Sequence, residues 1–191
     1  MSRSIHNDHL NLPKSFFLYL HTDLSLEFSK KNNKILKTEL SKGIKIFYIN
    51  NAFIIYPIKK IGHFKCNEVE TSLMSNILSP VKLINFIIKC KLNCDFTFVN
   101  ISSGAALKPI DSWSLYSSSK SFMNTYFKCL KIENDNINVF EIDPGVLNTN
   151  MQSIIRKSKF PGNDYFKNLK IESKLKDPFD VAESIIKKII T

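Results

Sequence analysis

The sequence predicts an α/β domain built on a doubly wound parallel sheet. Short apolar runs alternate with longer segments of helical periodicity, the pattern of parallel strands joined by crossover helices. The second run, Ile44 to Asn50, is apolar at most positions, as a parallel strand covered on both faces should be. The chain has 191 residues, 43% hydrophobic and 23% charged. That suits one globular domain over 1–191 and is too short for two ordinary ones.

The elements follow in order. Ser15 to His21 (SFFLYLH) is a first candidate strand, and Leu24 to Leu40 a lysine-rich helix with Gly43 as its stop. Ile44 to Asn50 (IKIFYIN) is the second strand. Glu68 to Cys90 has helix-spaced apolar residues, including Leu73, Ile77, Val81, Ile84 and Ile87, with Pro80 expected to kink or restart the helix. Asp95 to Ile101 (DFTFVNI) is the third strand, Trp113 to Ile132 a helix, and Ile137 to Ile142 (INVFEI) the fourth strand. Pro178 to Ile190 is a last helix, with Asp177 as its N-cap and proline at its first position. In such a sheet ligands bind beyond the carboxyl ends of the strands. Chemistry is therefore expected at Asp23, Asn50 to Ala52, Ser102 to Gly104, and Asp143 to Thr149.

Composition narrows the function classes. No apolar run reaches the roughly 18 to 20 residues of a membrane-spanning helix. Met1 to Pro13 holds no apolar stretch of the kind a secretory signal carries. A cytoplasmic protein without membrane contact is expected. The net charge of +10 comes almost entirely from lysine; the only arginines are Arg3 and Arg156. Arginine is the preferred residue for bidentate phosphate and guanine contacts, and the lysines are scattered. A solvated surface is expected rather than a nucleic-acid site. Cys66, Cys90, Cys94 and Cys129 have no histidine pair spaced to complete a zinc set, so reduced thiols and no metal are expected.

Tyr116 and Lys120 are four residues apart in a helical segment, which puts them on one face. An ammonium beside a phenol favours the phenolate and lowers the tyrosine pKa from about 10. A tyrosine tuned in this way can exchange a proton with a carbonyl or alcohol oxygen. Alone, the spacing is a weak motif, equally an exposed helical pair. Ser103 lies thirteen residues earlier, just after the third strand. There it could hydrogen-bond a reacting oxygen or serve as an ordinary turn serine. Asn76 falls within an apolar-periodic helix, as a buried amide that needs partners or as a partly exposed residue.

These residues resemble the short-chain dehydrogenase/reductase family, and within it the sepiapterin-reductase and benzil-reductase-like members. The resemblance rests on VNISSGAALKPIDSWSLYSSSK (Val99 to Lys120), DPGVLNTNMQ (Asp143 to Gln152), NNA at Asn50 to Ala52, SNILSP around Asn76, and TDLS at Thr22 to Ser25. It implies a Rossmann-like fold and an NADP or NAD cofactor. It further implies reduction of a small carbonyl compound by hydride transfer, and a homodimer or homotetramer. Under it, Tyr116 is the general acid, Lys120 lowers its pKa and binds the nicotinamide ribose, Ser103 orients the carbonyl, and Asn76 completes a proton relay. Asp23 and Leu24 would lie near the adenine, and Asn50 and Ala52 near the adenosine ribose. Pro144, Gly145, Leu147 and Thr149 would cover the nicotinamide. Gly104, Trp113, Met151 and Gln152 would join Ser103 in the substrate pocket, although packing accounts equally well for a lone tryptophan.

The sequence departs from that family in several places. Gly43, Gly62, Gly104, Gly145 and Gly162 form no T-G-x3-G-x-G cluster, the backbone cradle for a pyrophosphate. The fold expected is thus an incomplete doubly wound sheet lacking its first βαβ unit, with Thr191 stopping short of the family's last strand. Ser15 to His21 is expected to pair abnormally or stay loosely attached, and Ile44 to Asn50 to expose an edge. Phe53 stands where the family has glycine, where it would either crowd the cofactor or turn into vacated space. A catalytically inactive remnant acting as an interaction module is the alternative to the reductase.

Overall fold

The computed structural model describes residues 23–25, 30–42, 45–90 and 94–190. The candidate strand Ser15 to His21 and the helix stop Gly43 lie outside them.

Three parallel strands form the sheet in the order β1 (Lys45–Asn50), β2 (Asp95–Ile101), β3 (Ile137–Ile142). Asn50 pairs with Asn100, and Ile101 with Ile142, so all three carboxyl ends finish along one edge. Phe96 to Asn100 in β2 are all buried, as expected of a central parallel strand. β1 departs from its expected two-sided burial. Ile46 and Asn50 are buried, but Lys45, Phe47 and Ile49 are exposed. Among the described residues β1 pairs only with β2, and its Phe47 face has no covering layer. The expected exposed edge is therefore present within those residues.

Asp23 to Ser25 form a turn rather than the start of a helix. The Asp23 carboxylate accepts from both the backbone N–H and the hydroxyl of Ser25, at 2.9 and 2.7 Å, a local bond that competes with helical pairing. α1 is described over Lys30–Leu40, and its Leu36 and Leu40 pack on the core.

The segment from Cys66 to Lys89 is one continuous helical rod: α2 (Cys66–Leu73), a π-helical turn (Met74–Leu78) and α3 (Ser79–Lys89). The expected break at Pro80 is absorbed by that turn. Proline brings no N–H, and the wider turn just before it closes on the Ser79 N–H, which donates to the Met74 carbonyl. By length and composition this rod could cross a membrane, contrary to the sequence expectation. Here Leu83, Ile84 and Ile87 bury its apolar stripe against Phe96 and Phe98 of the sheet.

α4 (Ser114–Glu133) carries the other half of the core. It has no internal glycine or proline, and Met123, Phe127 and Leu130 are buried at helical spacing. Tyr116 and Lys120 extend the same stripe toward the N-terminus, so the fold draws them inward with the apolar residues. A second cluster joins Ile55, Trp113, Tyr116, Ile155 and Phe166. It recruits α5 (Asn150–Lys157) and α6 (Asn163–Ile171), where the sequence pattern indicated only a loop. α7 (Pro178–Ile190) begins as expected, with the Asp177 carboxylate accepting from the Phe179 N–H at 2.7 Å.

Candidate active site

The site assembles where the three strands end. Ser103 follows β2 in extended backbone and caps the short 3-10 turn Gly104–Ala106, its hydroxyl accepting from the Ala105 N–H at 3.3 Å. Gly104 lies beside Asp143, whose carboxylate would be 3.6 Å from a Cβ added there. Tyr116 is 7% exposed and Lys120 3%. The Lys120 ammonium donates to the Ile101 carbonyl at 2.6 Å, which ties α4 to the end of β2.

Electrostatics here differ from the sequence expectation. Burial holds the Tyr116 phenol above its ordinary value, a Ser103 hydrogen bond opposes that, and the Asp143 charge adds to the rise. Burial pushes the Lys120 amine down to about 7, against the opposing pull of Asp143. The expected lowering of the tyrosine by the lysine is absent. The lysine nitrogen is 5.8 Å from the Tyr116 ring centre and is directed at the Ile101 carbonyl. Desolvation of the phenolate is the largest cause of the rise.

Phe53 now has a position. Its ring lies over the Lys120 nitrogen, 3.6 Å from the ring centre, and edge-on to the Tyr116 ring at 6.1 Å. It turns into the site, not away from it.

Asn76 is fully buried. Its amide oxygen accepts from the Ile54 N–H and its amide nitrogen donates to the Ile54 carbonyl, both at 2.9 Å. That clamp orders the irregular stretch after β1, together with the Lys59 N–H bonded to the Ser112 carbonyl. The Asn76 side chain is thus engaged at both ends by Ile54. Its backbone carbonyl has no i,i+4 donor, because that donor would be Pro80.

Other predicted residues divide. Asn50 is buried, and its amide donates to Asn100, which donates to Asn124; Ser102 also donates to Asn124. That chain of amides braces the strand ends against α4 and occupies the Asn50 side chain. Ala52 is exposed. Asp23 and Leu24 sit beside α3, where Ser79 donates to the Leu24 carbonyl at 2.7 Å. Pro144, Gly145, Leu147 and Thr149 form one loop, pinned by backbone bonds from Lys176 to Val146 and from Asn148 to Lys176. Gly145 has φ +75°, and a Cβ there would meet the Lys176 nitrogen at 3.1 Å. Trp113 is 4% exposed, stacked on Phe166 at 5.1 Å and edge-on to Tyr116 at 5.7 Å. Packing is its visible role. Met151 packs on the same cluster and Gln152 is buried.

Lys176 is the residue that the sequence did not indicate, and it carries no sequence signal; Asp143 was expected as the residue after a strand but without a role of its own. A cavity of about 500 Å³ lies between the end of β3 and α7, lined by Asp143, Pro144, Lys176, Asp180 and Lys188 among others. Tyr116 and Ser103 are not on its walls.

The short chain dehydrogenase family model matches residues 9–159. The chain belongs to the short-chain dehydrogenase/reductase family. It is 34% identical over 119 residues to the benzil reductase ((S)-benzoin forming) of Bacillus subtilis, covering 59% of this chain and 49% of that protein. It is 33% identical over 117 residues to the sepiapterin reductase of Xenopus tropicalis, covering 59% and 45%. The chain thus spans about half the length of these curated relatives. A short-chain dehydrogenase/reductase from Saccharomyces cerevisiae, solved by crystallography, matches its fold with a TM-score of 0.76 at 25% identity. That match covers 92% of this chain and 72% of the other. The described sheet is the part of a Rossmann-like sheet that excludes the first βαβ unit.

Proposed function

We propose that this member of the short-chain dehydrogenase/reductase family provides the catalytic half of a nicotinamide-dependent carbonyl reductase, with Tyr116 as the general acid. The observation that carries this reading is the meeting of Tyr116, Ser103 and Lys120 at the carboxyl end of β2. A general acid must hold its proton until the reacting oxygen develops charge. A buried phenol with a raised pKa meets that need. Ser103, half-buried and beside Tyr116, would hold the substrate oxygen next to the phenol. The Asn76 backbone carbonyl, which has no i,i+4 donor because Pro80 lacks an N–H, would hold a water that passes protons toward Lys120.

The donor set fits the nicotinamide end of NADP or NAD. Lys120 has three N–H donors and gives one to Ile101, leaving capacity for ribose hydroxyls. Tyr116 and the loop carrying Pro144, Gly145, Leu147 and Thr149 would flank the ring. Asp23, Leu24, Asn50 and Ala52 would line the adenosine end. Asn50 would act there through its backbone. Gly104, Trp113, Met151 and Gln152 would shape the substrate side. A nicotinamide cofactor would supply the hydride. The relatives named for benzil and sepiapterin suggest a small carbonyl compound, and a homodimer or homotetramer is the assembly the family suggests. Cytoplasmic residence is part of the same proposal. The inactive-remnant alternative has no observation in its favour at this site.

Fluorescence titration with NADH and NADPH, followed by turnover of an aryl diketone such as benzil, tests the proposal. Tyr116→Phe should abolish turnover and keep nucleotide affinity. Turnover retained in that variant would remove Tyr116 as the acid.

A further inference from the structure

Phe53 occupies the open side of the Lys120 ammonium. One N–H of that ammonium is committed to the Ile101 carbonyl at 2.6 Å. The Phe53 ring lies 3.6 Å from the nitrogen and stands edge-on to Tyr116. Between them these groups leave Lys120 only 3% exposed. A cation over an aromatic face is attracted to it, so the closed position is favoured and not merely vacant space filled.

The backbone beneath the ring is held firmly. Ile54 is clamped by both ends of the Asn76 amide, and Ile55 is 3% exposed in the second core cluster. Phe53 is itself only half-buried and touches both clusters from their margins. Motion at this point is therefore available to the side chain and not to the chain that carries it.

We propose that Phe53 is a side-chain gate, whose ring covers the Lys120 ammonium in the resting protein and must swing aside before a ligand's hydroxyl groups can reach it. The inference rests on the nicotinamide-nucleotide reading for the identity of that ligand, whose ribose diol has the matching chemistry. Lys120 then serves two partners in turn: the ring when the site is empty, and the diol when it is filled. Glycine at this position would leave the ammonium permanently open. Phe53 makes access conditional.

The test compares the wild-type chain with Phe53→Ala and Phe53→Leu; leucine keeps apolar bulk without the aromatic face. Two readouts are needed. The first is relaxation of the Lys120 ε-methylene by a neutral soluble gadolinium chelate, with surface lysines as internal reference. It does not depend on turnover or on bound nucleotide. It should rise several-fold in Phe53→Ala, with Phe53→Leu between. The second is fluorescence titration with NADH and NADPH, in which Phe53→Ala should bind about tenfold more tightly if the gate stands open about a tenth of the time. Unchanged relaxation overturns the gate. So does equal nucleotide affinity in wild type and variant. Raised relaxation with no nucleotide bound by any variant upholds the cover over Lys120 and overturns the nucleotide reading instead. If Phe53→Ala fails to fold, judged by far-ultraviolet circular dichroism, the comparison with Phe53→Leu decides.

Discussion

Asn76 and Ile54 exchange two hydrogen bonds of 2.9 Å, side-chain amide against backbone amide, in the pattern that two strands use. This makes one helix residue the anchor of the irregular stretch that carries Phe53. Asn76→Ala leaves the Ile54 N–H and carbonyl without partners. A buried unpaired polar group costs about 1–3 kcal/mol, so urea denaturation should show a loss of at least that size. Hydrogen exchange at the Ile54 amide should accelerate well before global unfolding. An unchanged Ile54 exchange rate would refute the anchor.

Lys120 predicts a stability gradient with pH. Its amine is pushed down to about 7 from the ordinary 10.5 by burial. Between those values the unfolded chain binds more protons than the folded one. Stability therefore rises with pH across that window, by at most about 1.4 kcal/mol per pH unit. Below pH 7 the full cost of charging the buried lysine is present. Urea denaturation from pH 7 to 10 should show the rise, and Lys120→Met should flatten it.

Asp143 acts on both members of the pair in one direction. Its charge raises the Tyr116 phenol and the Lys120 amine together. Asp143→Asn should lower both midpoints: tyrosine titration followed in the ultraviolet, lysine titration by carbon NMR of the ε-position. Opposite movements of the two would show that the carboxylate does not face the pair.

Glu68 predicts an acid limit for the segment from Tyr56 to Lys65. The carboxylate accepts from the Tyr56 hydroxyl at 2.6 Å, from Lys59 at 2.6 and 2.8 Å, and from the Lys65 N–H at 2.9 Å. With Lys59 the main cause, its pKa falls from 4.5 to about 2. The folded state thus releases its proton more readily than the unfolded chain. The stabilisation is complete above the unfolded value and fades as pH falls through the folded one. Glu68→Gln should remove this part of the acid dependence, which circular dichroism at graded pH can follow. An unchanged acid midpoint would mean the contact carries no net stability.

Much of the site was legible in the chain because its signals are local. Strands β2 and β3 matched their expected bounds: β2 carries the run Phe96 to Val99, and β3 alternates Ile137, Val139, Phe140 and Ile142 with polar Asn138 and Glu141, short β-rich patterns that leave few other ways to be buried. α4 was set by its helical apolar stripe, and that stripe delivered Tyr116 and Lys120 to the interior. The turn at Asp23 and the paired helices α5 and α6 were not legible, because a side-chain bond and an aromatic cluster, not periodicity, define them.

By itself the sequence determined the parallel α/β plan and the residue types gathered at the strand ends, which follow from spacing along the chain, and its motifs carried the resemblance to the family. Tertiary structure alone decided that Phe53 turns onto Lys120, that the Asn76 amide is spent on Ile54, and that the Tyr116 phenol is raised instead of lowered. Each of those outcomes depends on groups remote in sequence meeting out of water. Burial and direction of contact, which no spacing encodes, set their sign.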